Sequence, residues 1–136
     1  MKIIKSLLAL FVMAFITAGV QAAVSPMDVS GATTVDGATA KKLFDREVLF
    51  VDVRSNNDWE AGRVPGAVHI ELKKIYSEET LAKEGGKGEE MVIYCNGASC
   101  MRSSDASVKA VVWGFKKVYY YRDGFPDWKS RGFPVE

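Results

Sequence analysis

The chain has a single histidine and two cysteines. It has no apolar run as long as the ~20 residues that a membrane-spanning helix needs. One histidine with Cys95 and Cys100 makes a poor zinc donor set, so no metal is expected. A Cys/His hydrolase would need His69 to reach a cysteine, and nothing in the spacing indicates it. His69 follows Pro65-Gly66 inside the apolar stretch Ala67-Val68-His69-Ile70 and reads as a packed structural residue rather than a general base. The basic residues form no stripe and the arginines no cluster, which leaves nucleic-acid binding without support. Internal repeats and low-complexity tracts are absent as well.

What is present begins with a leader. Lys2 and Lys5 precede the mostly apolar stretch from Ser6 to Val20, and Val20-Gln21-Ala22 fits the small-x-small pattern of a signal-peptidase site. A cleavable signal peptide over residues 1–22 is expected, with cleavage after Ala23 as the close alternative. A retained anchor is the competing reading, and the shortness of the apolar run counts against it. No cysteine lies near the cleavage site, so a lipid anchor is not expected. The expected location is exported and periplasmic, an oxidising place where paired cysteines become disulfides. No stable membrane insertion is expected once the leader is gone. Loss of Lys2 and Lys5 takes the formal charge from +1 to −1 and leaves about 114 residues, enough for one domain and for a monomer.

Residues 23–30 read as a flexible lead-in to a single domain over 31–136. Asp36 caps a short helix running to Phe44. Val48 to Val53 is a β-branched and aromatic run, the pattern of a central strand buried on both faces. Residues 57–61 suit one or two helical turns, and Ala67 to Ile70 a short strand. Leu72 to Lys83 is amphipathic and expected to be helical, ending at Gly85-Gly86. Met91 to Tyr94 is a second buried strand; Ser104 to Trp113 has helical spacing, with Gly114 as its stop. Val118 to Tyr121 is another strand, and Phe125 to Arg131 a last short helix. Strands alternating with helices predict an open, mostly parallel α/β sheet with helices on both faces. Ligands then bind beyond the carboxyl ends of the strands, where Cys95, Asp52 and Arg54 all fall.

The segment from Val92 to Ser103 carries the chemistry. An apolar strand stops at Cys95, a short loop of small polar residues follows, and then helical spacing begins. Cys95 is thereby expected to face backbone N–H groups at a helix N-terminus, where an anionic sulfur is favoured. The loop from Asn96 to Ser99 can turn successive N–H groups inward as an anion-binding nest.

Three stretches, in order, resemble the rhodanese family of single-domain sulfurtransferases. The first is Val51-Asp52-Val53-Arg54 followed by Asp58-Trp59-Glu60-Ala61-Gly62-Arg63-Val64-Pro65-Gly66-Ala67-Val68-His69-Ile70, with Arg63 where the family usually has histidine. The second is Val92-Ile93-Tyr94-Cys95; the third is Gly124-Phe125-Pro126-Asp127-Trp128 with Gly132-Phe133-Pro134-Val135. The loop departs from the family pattern. Common members have an arginine five positions after the cysteine, where this chain has Cys100, and its first arginine is Arg102. Phosphatases on the same fold place five residues between cysteine and arginine; here there are six.

The resemblance implies a five-stranded sheet and a Cys95 nucleophile that takes sulfane sulfur from a small anionic donor such as thiosulfate. A thiol or cyanide would then accept it, with no metal or organic cofactor. Asn96, Gly97, Ala98, Ser99, Met101, Arg102 and Ser103 would form the substrate-binding loop. Asp52 and Arg54 would support it, and Arg102, Arg54 or Arg63 would attract the donor. Cys100 keeps three readings: a resolving thiol that a periplasmic thiol reductant must regenerate, a protective disulfide partner, or a space-filling residue. A thiol–disulfide redox protein using both cysteines and a non-catalytic binding module are the alternative functions.

Overall fold

In Met91-Val92-Ile93-Tyr94 successive side chains go to opposite faces, yet all four are buried, so this strand is covered on both sides. The computed structural model describes Gly19 and residues 24–136; but for Gly19, the expected leader lies outside the described residues. The elements run β1 (Thr33–Thr34), α1 (Gly37–Asp45), β2 (Leu49–Asp52), α2 (Asn56–Ala61), β3 (Val68–His69), α3 (Glu78–Glu84), β4 (Glu90–Tyr94), α4 (Arg102–Val112), β5 (Lys117–Tyr121) and α5 (Gly124–Ser130). They build a five-stranded sheet in the order β1-β5-β4-β2-β3, every pairing parallel.

Each face has its own core. On one, Met91, Ile93 and Cys95 of the β4 line pack with Val51, Val118, Leu81 of α3 and Ala106 and Ala110 of α4. On the other, Val92 and Tyr94 pack with Phe50, Ala40 and Leu43 of α1, and Phe125 and Trp128 of α5. Trp128 is fully buried, contacts Phe44, Phe50 and Phe133 edge-on, and donates its indole N–H to the Pro134 carbonyl at 2.6 Å. Cys95 thus continues the β4 face that α4 covers, which aims its sulfur at the start of that helix. After β3 the chain returns to the opposite side of β2 to lay down β4. The switch point therefore falls between β2 and β4, whose ends carry Asp52 and Cys95.

Two expectations need correction. The helix expected over Leu72 to Lys83 forms only at Glu78–Glu84. Ahead of it, the Glu71 carbonyl takes the N–H groups of Lys74, Ile75 and Tyr76 into a tight turn. Ser77 then starts the helix through a reciprocal capping pair with Thr80. The expected flexible lead-in is tied down at two points: Val29 is buried, and buried Ser25 gives both its backbone N–H and its hydroxyl to the Ala98 carbonyl at 2.7 and 2.9 Å, while Val24 and Met27 are exposed. β1, the fifth strand, was not located by the sequence pattern; it is two exposed threonines on the edge of β5.

Candidate active site

Helix α4 begins with its first N–H groups unpaired, as every α-helix does. Its capping residue, Met101, contributes no side-chain bond. The sulfur of Cys95 takes that place: the Ser103 N–H donates to Cys95 Sγ at 3.2 Å, and Ser103 Oγ lies 3.1 Å from the same atom. Ser103 and Cys95 are both fully buried. A helix N-terminus that contacts a sulfur stabilises negative charge on it.

The loop between strand and helix returns on itself. Gly97 has φ +102°, and the Cys100 N–H closes a turn on the Gly97 carbonyl at 2.9 Å. This brings Cys100 back to Cys95, with their Cα atoms 6.4 Å apart, and the two sulfurs are joined in a disulfide. The expected ring of inward N–H groups is reduced accordingly. Cys100 spends its N–H on the turn, and among the described residues the Ser103 N–H is the backbone donor that reaches the sulfur. Asn96, Ala98, Ser99 and Met101 are exposed around this turn, and Cys100 is half-buried.

The three arginines expected to attract a donor are all engaged elsewhere. Arg54 is buried and forks onto buried Asp52, with Nη2–Oδ2 at 2.7 Å and Nε–Oδ1 at 3.0 Å; it also donates to the Gly62 carbonyl at 2.6 Å and to Asn96 Oδ1 at 3.3 Å. Arg63 stacks on Trp59 and pairs with Glu136 at 3.6 Å, in the stretch that precedes β3. Arg102, the first residue of α4, pairs with Glu71 at 3.5 Å and reaches back to the Val53 carbonyl. His69 lies flat against Trp59 and hydrogen-bonds the Arg54 carbonyl at 2.8 Å.

The sequence reading missed Asp58, Ser25, Glu71 and Gly124. Asp58 accepts from the Asn96 amide at 2.8 Å and so anchors the loop. That hydrogen bond holds its carboxyl below the usual carboxylate range, with help from Ser55, Arg54 and Arg102 against the opposing effect of burial. The anchor is accordingly at full strength above the ordinary carboxylate value of 3.8 and is lost as pH falls through the lowered one. In a carboxyl-carbon NMR titration, Asn96→Ala should move the Asp58 midpoint up toward 3.8; an unmoved midpoint would deny the bond its role.

Gly124 holds the loop from the other side. Its φ is +62°, a Cβ there would collide with the Cys95 carbonyl and the Gly97 nitrogen, and the next residue, Phe125, donates its N–H to that carbonyl at 2.9 Å. Gly124→Ala should cost about 1–2 kcal/mol from backbone conformation alone, before the collision is counted. A urea midpoint unchanged by this substitution would show that the loop yields freely. The glycine opening the third motif was the signal for this position; Ser25 and Glu71 gave none.

The domain is all-parallel α/β, with a strand-end cysteine lodged at the N-terminus of the helix that follows it. The chain belongs to the rhodanese-like family, whose domain matches residues 37–131. An HTH-type transcriptional regulator of Mycobacterium tuberculosis is 34% identical over 118 residues, covering 84% of this chain and 50% of that protein. Thiosulfate sulfurtransferase GlpE of Coxiella burnetii is 28% identical over 86 residues, covering 62% of this chain and 75% of that one. In structure, the polysulfide-sulfur transferase homodimer of Wolinella succinogenes superposes with a TM-score of 0.62 at 25% identity, covering 78% and 79% of the two chains. The chain spans half or less of the length of the first curated relatives it matches. No helix among the described residues is long and apolar enough to cross a membrane.

Proposed function

We propose that this chain is an exported, periplasmic sulfurtransferase that carries sulfane sulfur as a persulfide on Cys95. Its donor is a small sulfur species such as thiosulfate, and its acceptor a thiol or cyanide. The observation that carries this reading is the Ser103 N–H on Cys95 Sγ at the N-terminus of α4. That contact favours a thiolate before transfer and a persulfide anion after it. The thiolate attacks the outer sulfur of thiosulfate, the S–S bond of the donor breaks, and sulfite leaves with the electron pair. The acceptor thiolate then attacks the outer sulfur of the persulfide and restores Cys95. Every step is nucleophilic displacement on sulfur, so no metal or organic cofactor is called for. The leader carries the proposal of export.

Intact mass with peptide mapping tests it. Protein reduced, freed of reductant and mixed with thiosulfate should release sulfite and bring sulfur onto Cys95. Protein left as the disulfide should take up none, because Cys95 then has no free thiolate. Absence of both sulfite and any sulfur on Cys95 after reduction would reject the reading.

The Cys95–Cys100 bond favours a second reading, a thiol–disulfide redox protein. It requires turnover that depends on both thiols; Cys100→Ala turning over at full rate with thiol reductants would remove it.

A further inference from the structure

Cys100 has no part in simple sulfur transfer, yet the loop is folded to present it to Cys95. The Gly97 carbonyl and the Cys100 N–H close the turn, and Cys100 Sγ is bonded to Cys95 Sγ. Cys100 Sγ therefore reaches Cys95 Sγ, the inner sulfur of a persulfide, without any change of fold.

We propose that Cys100 is a resolving thiol, which makes the chain a reductase of sulfane sulfur that releases sulfide at the expense of an external dithiol. This rests on the persulfide reading given above. The Cys100 thiolate attacks Cys95 Sγ, the bond between Cys95 Sγ and the outer sulfur breaks, and that sulfur leaves with the electron pair as hydrosulfide. The sulfane sulfur gains two electrons and the two cysteines lose them as their disulfide forms. The disulfide is asymmetric in a useful way: Cys95 is fully buried and Cys100 half-buried. An external thiolate therefore meets Cys100 Sγ first. The sulfur expelled is that of Cys95, whose thiolate the Ser103 N–H receives. The second thiol of the reductant then frees Cys100 and leaves as the oxidised dithiol. Over one cycle, thiosulfate and a dithiol become sulfite, hydrogen sulfide and a disulfide.

The test is a single-turnover reaction without oxygen. Reduced protein, stripped of reductant, is mixed with thiosulfate; sulfite and sulfide are measured, and the protein is weighed and mapped. The wild type should release one sulfide per sulfite and lose two hydrogen atoms as Cys95 joins Cys100. Cys100→Ser, with Cys100→Ala as a second variant in case one misfolds, should release sulfite, retain one added sulfur on Cys95 and yield no sulfide. A wild type that keeps the added sulfur, or a Cys100 variant that releases sulfide at the wild-type rate, would overturn the resolving role while leaving the persulfide carrier intact. No sulfite from any of the three proteins would overturn the persulfide reading beneath it.

Discussion

Cys95→Ser should take up no sulfur from thiosulfate and should transfer none to cyanide or a thiol. The substitution exchanges one atom at a fully buried position and removes the bond to Cys100, but the Ser103 N–H still has an acceptor and the loop keeps its anchors at Ser25, Asp58 and Phe125. What disappears is the chemistry. A serine hydroxyl does not ionise near neutral pH at a site that offers no general base; His69 is stacked on Trp59 and bonded to the Arg54 carbonyl. Losing a covalent nucleophile of this kind should lower the transfer rate ~10⁴-fold or more, about 5.5 kcal/mol of transition-state stabilisation. A folded Cys95→Ser protein that still loads sulfur would move the nucleophile elsewhere, and Cys100→Ser would identify it. The two variants separate cleanly: Cys95→Ser loses loading itself, whereas Cys100→Ser keeps loading and loses only the closing of the disulfide.

Most of the fold could be read from the chain because burial has a period. Val92 and Tyr94 against Met91 and Ile93 announce a strand with two covered faces, and the same holds for β2. The strand end at Cys95 was legible for the same reason, since the apolar run stops there. β1 was not, because two exposed threonines carry no burial pattern. The helix expected from Leu72 failed on a local competition: three N–H groups go to the one carbonyl of Glu71, and the capping pair of Ser77 and Thr80 sets the helix start six residues later than the amphipathic spacing suggests. The arginines show where sequence reading stops. Arg54, Arg63 and Arg102 look like anion receptors until the fold delivers Asp52, Glu136 and Glu71 to them. The start of α4, by contrast, meets the Cys95 sulfur directly through the Ser103 N–H.

Arg54→Met should be the most destabilising of the substitutions discussed. The guanidinium is 3% exposed and the Asp52 carboxylate 0%, so the pair is out of water. Its fork is completed by the Gly62 carbonyl and Asn96, and its plane lies over Phe125 at 4.5 Å. Removing one member of a buried pair strands the other, at a cost of ~3–5 kcal/mol. Against a total of about 5–15 kcal/mol for a domain, that is enough to bring the protein near unfolding. Arg54→Lys should fall between: the charge stays, but a single ammonium cannot serve Asp52, Gly62 and Asn96 together. Asp52→Asn with Arg54→Met should recover part of the loss, because no unpaired carboxylate remains. Urea unfolding of the four proteins at neutral pH measures the order directly. A cost below ~1 kcal/mol for Arg54→Met would place the pair among ordinary surface bridges and detach it from the loop. The pair bears on the loop as well. Arg54 ties the end of β2 to Asn96, the residue after Cys95, so the same side chain that secures the core also fixes where the loop begins.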